Sequence, residues 1–525
     1  MRTLLILASI VILTQCGAPS PPKCRFLSSN SRTDTNTLLK TAEANWKVLA
    51  DPGKSKYWPD AQQQYNQAVA ELFDQLRCGK PSSWEQRAES INTSLSSTTE
   101  DSDHPSRFNA IFPASLVEDS RATEATLVPG VGIPAVGWLT TTPIGIPRPA
   151  YFPPNGQPRN ATVLLDFDSH PPQWQFKKRW IKDEIKISGT KHALAANWSA
   201  PIDFFWHMCE LDNLRIQNAL IPDRFTEETG LFFFEPYDPT KIPVVMVHGL
   251  VSSPDAFREI INELSPEPWF REKYQVWLYN YPTGTPWLFS AMKFRQAMNQ
   301  AIHHAASKGP TDNLDKMVIL SHSMGGLITR SSVSHPQNYL YDAHFKTPFD
   351  QLRVRSEARA LIKDGLLYEP IRSPARVVFM AVPHQGSPMA TFRGTGLLSK
   401  IIRLPKSLTV GLLDATLKSI EDRIEGQVAV TEVRPPTSIS SLSPSNPANI
   451  GLKSIPLPEH IIFHSIIGDK GDGDTPDSSD GVVPYWSSHI GPVASELIVP
   501  SNHSVPSDPQ ATAEVERILK LNLAN

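Results

Sequence analysis

The stretch Lys316 to Leu327, KMVILSHSMGGL, reads as a buried strand that turns abruptly into a helix. Met317 to Leu320 is an apolar run of strand length, and Gly325, Gly326, Leu327 and Ile328 open a segment with helical spacing. Ser323 therefore stands at the corner. A sharp corner brings strand and helix close together, so the residues two before and two after its apex must be small. Ser321 and Gly325 meet that demand. Two readings follow: an activated hydroxyl held out at the corner, or an ordinary turn serine facing solvent. The short motif alone does not choose between them.

Outward from this corner, strand and helix alternate to the C-terminus. The apolar runs predict strands at Pro243–Val247, Tyr274–Tyr279, Met317–Leu320, Ala375–Val382, His460–Ile467 and Glu496–Val499, with helices such as PDAFREIINEL and FSAMKFRQAMNQAIHHAA between them. That pattern is α/β: a mainly parallel sheet with helices on both faces. Reactive residues of such sheets lie on loops at the carboxyl ends of strands. VVMVHGLVSSP places His248, Gly249 and Leu250 directly after a strand. The run HIIFHSIIGD enters the acid-rich loop KGDGDTPDSSDGVVPYWSS, and Asn502, His503 and Ser504 follow the next strand. A serine nucleophile needs a base, and the base needs an orienting group. His503 is the candidate base. Asp469, Asp472, Asp474, Asp477 and Asp480 compete as the acid, with Asp469 favoured among the rivals by its place at a strand end. The loop has enough carboxylates to hold a calcium ion, although its spacing is not that of an EF-hand. His322 is expected to point away from the corner, His248 and His384 to be structural members of their turns, and His489 to follow Asp480 too closely to face it across a site.

From about Lys241 to the C-terminus, four motifs in order resemble the bacterial lipase and esterase branch of the α/β-hydrolase superfamily. VHGL resembles the oxyanion turn, SHSMGG the nucleophile elbow, VPHQGSP the loop after the sixth strand, and DGVVPYWSSHIG followed by SNHS the acid and base segments. Two positions depart: Ser321 stands where that branch has Gly, and Val382 where it has Thr before Pro383. The resemblance implies an α/β-hydrolase fold and the triad Ser323, Asp480 and His503. It selects Asp480 because the branch places its acid just before a Gly-Val-Val run, with the base about two dozen residues later; here the separation is 23. It also implies oxyanion donors Leu250 and Met324, hydrolysis of acyl or lipid esters through an acyl-enzyme, and no metal or organic cofactor. An acyltransferase, a lipid or protein deacylase using the same triad, and a non-catalytic surface-binding lipoprotein are the alternatives.

The chain has 525 residues, 40% hydrophobic and 20% charged, enough for a large core and for two or more structural units. A net charge of -3 gives no electrostatic argument for nucleic acid, and the sequence has no Walker A loop, Rossmann glycine fingerprint or zinc-type spacing. At the N-terminus, Arg2 precedes the apolar run Leu4 to Leu13, too short to span a bilayer comfortably but of signal-peptide length. The following Leu13, Thr14, Gln15 and Cys16 resemble a bacterial lipobox, which implies export and lipidation at Cys16. Gly17, rather than an Asp, follows Cys16, which in that sorting logic directs the anchor to an outer membrane. The expected organisation is a lipoprotein-type signal peptide over 1–16, a tether over 17–34, a helical and mixed region over 35–235, and the catalytic domain over 236–525 with a cap at about 388–459. Residues 335–374 are expected to join that cap. With Cys16 acylated, Cys24, Cys78 and Cys209 allow one disulfide, expected between Cys24 and Cys78 because both flank one segment. Apolar spacing predicts two amphipathic helices between Thr35 and Arg77, broken at Asp51 to Pro59, then a loop over 80–105 and short strands over 110–190. The aromatic cluster YNYPTGTPWLF is read as pocket lining or core.

Overall fold

The computed structural model describes residues 21–22, 34–79, 83–117, 125–140, 150–154, 156–208, 229–372, 374–388, 438–471 and 477–524. The apolar N-terminal run, Cys16, Cys24, Cys209, most of the tether and residues 389–437 of the expected cap lie outside them. The chain divides into two compact units, residues 1–139 with 158–210, and residues 140–157 with 211–525.

Seven strands form one sheet in the second unit: β1 Gly230–Phe233, β2 Ile242–Val247, β3 Tyr274–Asn280, β4 Met317–His322, β5 Pro374–Met380, β6 Ile462–Gly468 and β7 Ser495–Val499. Their spatial order is β1-β3-β2-β4-β5-β6-β7. Every pairing is parallel except that of β1, which runs antiparallel to β3 at the edge. The apolar runs locate β2 to β7 to within two residues at each end. Their legibility has a physical cause: all residues of β2, β3 and β4 are buried, so both faces are covered and the strands read as continuous apolar runs. One face, carrying Val245, Val247, Trp277, Tyr279, Ile319, Val377 and Phe379, shares a core with helices α1 Trp287–Ala306 and α2 Met324–Val333. On the other, the Tyr274 hydroxyl donates to the Leu519 carbonyl at 2.7 Å, tying β3 to helix α3 Pro509–Leu523. Asp508 caps α3 by accepting from Gln510 N–H at 2.8 Å.

The edge strand β1 lies outside the strands expected from the apolar runs, and it is held by tertiary contact, with Phe233 stacked on Trp277 at 4.3 Å. Among the described residues flanking 389–437, Leu340, Tyr341, Ile362 and Tyr368 on one side, and Leu442, Ala448 and Leu452 on the other, belong to the main core. In the aromatic cluster, Tyr279, Tyr281 and Trp287 are core residues, and the Trp287 indole N–H is satisfied by Ser441 O and Asn449 Oδ1, each at 3.1 Å.

In the first unit, helices Thr35–Ala50 and Trp58–Cys78 present Leu38, Trp46, Tyr65, Leu72 and Phe73 to one core, shared with strands Ile133–Leu139, Gln157–Asp166 and Gln173–Lys178 of a six-stranded sheet. Tyr65 locks helix to sheet by donating to Leu165 O at 2.8 Å and accepting from Leu165 N–H at 3.0 Å. A short helix, Trp84–Ser90, stands in the stretch read as loop, with Ser83 accepting at its N-terminus from Gln86 N–H. Cys78 is disulfide-bonded, and its partner lies outside the described residues.

Candidate active site

At the corner between β4 and α2, Ser323 has φ 54° and ψ -127°. A non-glycine residue in this left-handed region costs about 1–3 kcal/mol and persists only where its surroundings over-determine it. Here they do. Ser323 N–H donates to Met380 O on the neighbouring strand, and Gly326 N–H donates to Ser323 O, both at 2.9 Å. A Cβ on Gly325 would sit 2.3 Å from Val247 O and 2.5 Å from His248 O, so the helix can approach β2 only with glycine there. Two residues before the apex, Ser321 is wholly buried and its hydroxyl donates to Val378 O at 3.3 Å. The serine at that position thus finds an acceptor on the adjacent strand.

The turn after β2 lies directly against this corner. A Cβ on Gly249 would come within 2.8 Å of Ser323 Cβ. Behind the turn, Tyr281 donates its hydroxyl to His248 O at 2.8 Å and stacks on the His248 ring at 4.4 Å between centroids. Burial pushes the Tyr281 phenol well above its ordinary range, so it keeps the proton it donates. Val251, at φ 49°, gives its N–H to Thr283 Oγ1 at 3.3 Å. Leu250 is therefore held between two anchored neighbours. Met324 is the first residue of α2, where helix N–H groups have no intrahelical acceptor and the positive end of the dipole lies. Among the described residues no acceptor is bonded to the Leu250 or Met324 amide.

On the far side, His503 Nε2 lies 2.8 Å from Ser323 Oγ, and His503 Nδ1 lies 2.6 Å from Asp480 Oδ2. The other Asp480 oxygen accepts from the Val482 and Val483 amides at 2.8 and 2.7 Å. The carboxylate is fully buried while the imidazole is 22% exposed, so the chain of hydrogen bonds runs from the interior towards solvent. Gly468, ending β6, backs onto the same place: a Cβ there would meet Asp480 Cβ, Ser501 O and Val505 Cγ2 at 2.9 Å. Asp469 is not brought to His503; its carboxylate accepts from Gly471 N–H in its own turn. Asp477 is exposed, and Asp472 and Asp474 lie outside the described residues.

The VPHQGSP loop has a visible job that its sequence did not disclose. Ser387 Oγ donates to Val482 O at 2.6 Å, the Gln385 amide side chain to Trp486 O at 2.7 Å, and Gln385 N–H to Ser487 Oγ at 3.2 Å. These bonds fasten the segment that carries Asp480. His384 is buried and packs edge-on against Phe379 at 4.6 Å. His489 pairs with Glu496 at 2.7 Å, away from Asp480. His322, contrary to expectation, points into the site: its Nε2 lies 2.7 Å from the His503 carbonyl oxygen. No sequence signal marks that contact, because it joins residues brought together by two different strand ends. Among the described residues, no group of His, Cys, Asp or Glu is arranged to hold a metal ion, and no helix is long and apolar enough to cross a membrane.

Chemically, the arrangement offers a hydroxyl bonded to an imidazole, an imidazole bonded to a buried carboxylate, and two backbone amides beside the hydroxyl. No protein-family model matches the chain, and no curated protein matches it. Solved structures that align with it include Bacillus licheniformis lipase BlEst2 in mature form, with 15% identity over 55% of this chain and 97% of that one, at a TM-score of 0.31. A metagenomic carboxyl esterase aligns at 15% identity over 55% of this chain and 77% of that one, with TM-score 0.32. Staphylococcus hyicus lipase aligns at 12% identity over 55% and 95%, with TM-score 0.31. These neighbours are lipases and esterases, but such low identities and scores transfer no activity, which has to be argued from the site itself.

Proposed function

We propose that the chain is a serine hydrolase of carboxylic esters, with acyl or lipid esters as substrates. The observation that carries the reading is the continuous relay from Ser323 Oγ through His503 to Asp480, with spacings of 2.8 and 2.6 Å, at a strained corner. In this reading Ser323 Oγ attacks the ester carbonyl while its proton passes to His503 Nε2, and the Leu250 and Met324 amides hold the oxyanion. Asp480 fixes the tautomer of His503 by accepting from Nδ1–H. Collapse of the tetrahedral adduct breaks the bond to the alcohol, which leaves with the proton from Nε2. Water, deprotonated by the same imidazole, then attacks the acyl-serine, and the acid departs. Each donor of an oxyanion pair typically contributes about 2.7–4 kcal/mol to the transition state.

Hydrolysis of nitrophenyl esters of short, medium and long acyl chains by the purified protein and by Ser323→Ala tests this. The variant is expected to lose on the order of a millionfold in kcat, and equal rates for both proteins would sink the reading. The chain-length profile then separates short-chain esters from lipids. We further propose that the protein is exported and anchored in the cell envelope, at the outer membrane, through a lipid on Cys16, a reading supported by the lipobox-like Leu13 to Cys16. Metabolic labelling with an alkyne fatty acid should tag the chain and should vanish in Cys16→Ala; undiminished labelling of the variant refutes it.

A further inference from the structure

One polar side chain beside Ser323 has no part in the steps above. His322 ends β4 and is buried, and its ring centroid lies 5.0 Å from that of His503, with the planes at 45°. Its Nε2 lies 2.7 Å from the His503 carbonyl oxygen. A carbonyl only accepts, so Nε2 carries the proton and donates, and Nδ1 is the bare nitrogen of a neutral ring. Burial pushes the His322 pKa down to about 3, which keeps that tautomer at any pH where His503 serves as a base. On its other flank the ring meets the oxyanion turn: a Cβ on Gly249 would lie 3.2 Å from His322 Nδ1.

Consecutive residues thus hold the same histidine in two ways: Ser323 meets the ring of His503 and His322 its backbone. The position asks for a flat side chain that reaches a carbonyl, donates one hydrogen bond and bears no charge beside an imidazole that becomes cationic in the reaction. A lysine or arginine there would repel the imidazolium, and a phenylalanine would fill the space without donating.

We infer that His322 is a positioning residue, which fixes the loop carrying His503 against the Gly249 turn through its Nε2–H bond to the His503 carbonyl. The inference rests on the serine hydrolase reading proposed above. It predicts that losing the donor loosens the alignment of base and nucleophile without altering the substrate pocket. The cost therefore falls on kcat and not on KM.

The test compares the purified protein with His322→Phe, which keeps a ring and removes the donor, and His322→Gln, which loses the ring and keeps an N–H that can reach the carbonyl. Steady-state kinetics on a nitrophenyl ester, the rate of labelling by a fluorophosphonate and the urea unfolding midpoint are measured for all three. The expected result is a tenfold or greater fall in kcat and in labelling rate for His322→Phe, with KM within twofold and a near-native midpoint. His322→Gln should recover most of that loss. Wild-type kcat in both variants overturns the inference, as does a loss in His322→Phe that follows the unfolding midpoint and is not restored by Gln. If the wild-type protein neither hydrolyses esters nor takes the label, the hydrolase reading fails and this inference fails with it, an outcome distinct from the other two.

Discussion

The two sides of the site are built by different means. Ser323 is held by steric fit: Gly325 under the β2 carbonyls, Gly249 against the serine, and a backbone pinned to Met380. The base side is held by polar contacts, some between segments far apart in the chain, His322 to His503 and Ser387 and Gln385 to the acid segment, and some within the acid turn itself, Asp480 to the amides of Val482 and Val483. The first kind of support depends on backbones with no room to move. The second depends on buried hydrogen bonds, whose net worth is about 1 kcal/mol each and whose loss leaves an unpaired group. The nucleophile side should therefore fail abruptly under substitution, and the base side gradually.

The sharpest way to break the comparison is Gly325→Ala. The added Cβ overlaps two carbonyl oxygens at 2.3 and 2.5 Å, and neither belongs to a side chain that can swing away. Overpacking of this kind costs about 1–3 kcal/mol and at times more. We expect a lower urea midpoint together with loss of esterase activity, and a native midpoint would show that the corner is looser than its geometry.

A pH series probes the polar side. His322 and His464 are pushed down to about 3 and about 4, and His384 well below its ordinary value, in each case chiefly by burial. In the unfolded chain all three take up protons as the pH falls through about 6.5, while in the folded protein they do not. Between that pH and the folded values the unfolded state binds more protons, so stability rises with pH there and is lost on acidification. The slope approaches about 1.4 kcal/mol per pH unit for each histidine in that window. Denaturation at pH 7 and pH 5 measures it, and His464→Gln should flatten it. An unchanged slope in that variant would remove His464 from the account.

Ser321→Gly carries the smallest expected effect. It deletes the bond to Val378 O and frees the backbone, for a loss of about 1–2 kcal/mol in stability. Because the Ser321 hydroxyl bonds to Val378 O, away from His503, kcat should stay within a few-fold of wild type; a large fall would mean that the strand end itself tunes the serine.

How much of this was legible follows from what each feature rests on. Strands β2 to β7 could be read because burial on both faces makes each one an unbroken apolar run. The small residues around Ser323 could be read because a tight corner constrains composition locally. Edge strand β1 is not legible because its pairing with β3 comes from another part of the chain, and the segments beside 389–437 are ambiguous in sequence because apolar helical spacing looks alike over a site and inside a core. Among the carboxylates of the acid loop, composition offers five aspartates; the resemblance selects Asp480 through the Gly-Val-Val run that follows it, and the packing against Gly468 and the two Val amides shows what holds that carboxylate beside His503.

By itself the sequence determined the alternation of buried strands and helices and the tight corner at Ser323, because hydrophobic periodicity and steric size act over a few neighbouring residues. Only the tertiary structure decided how the Asp480 carboxylate is held beside His503, that His322 turns towards the His503 carbonyl, and that Tyr281 and Ser387 support the flanking turns. Those contacts are directional hydrogen bonds between strand ends, fixed by where the folded sheet brings its loops and not by any local pattern.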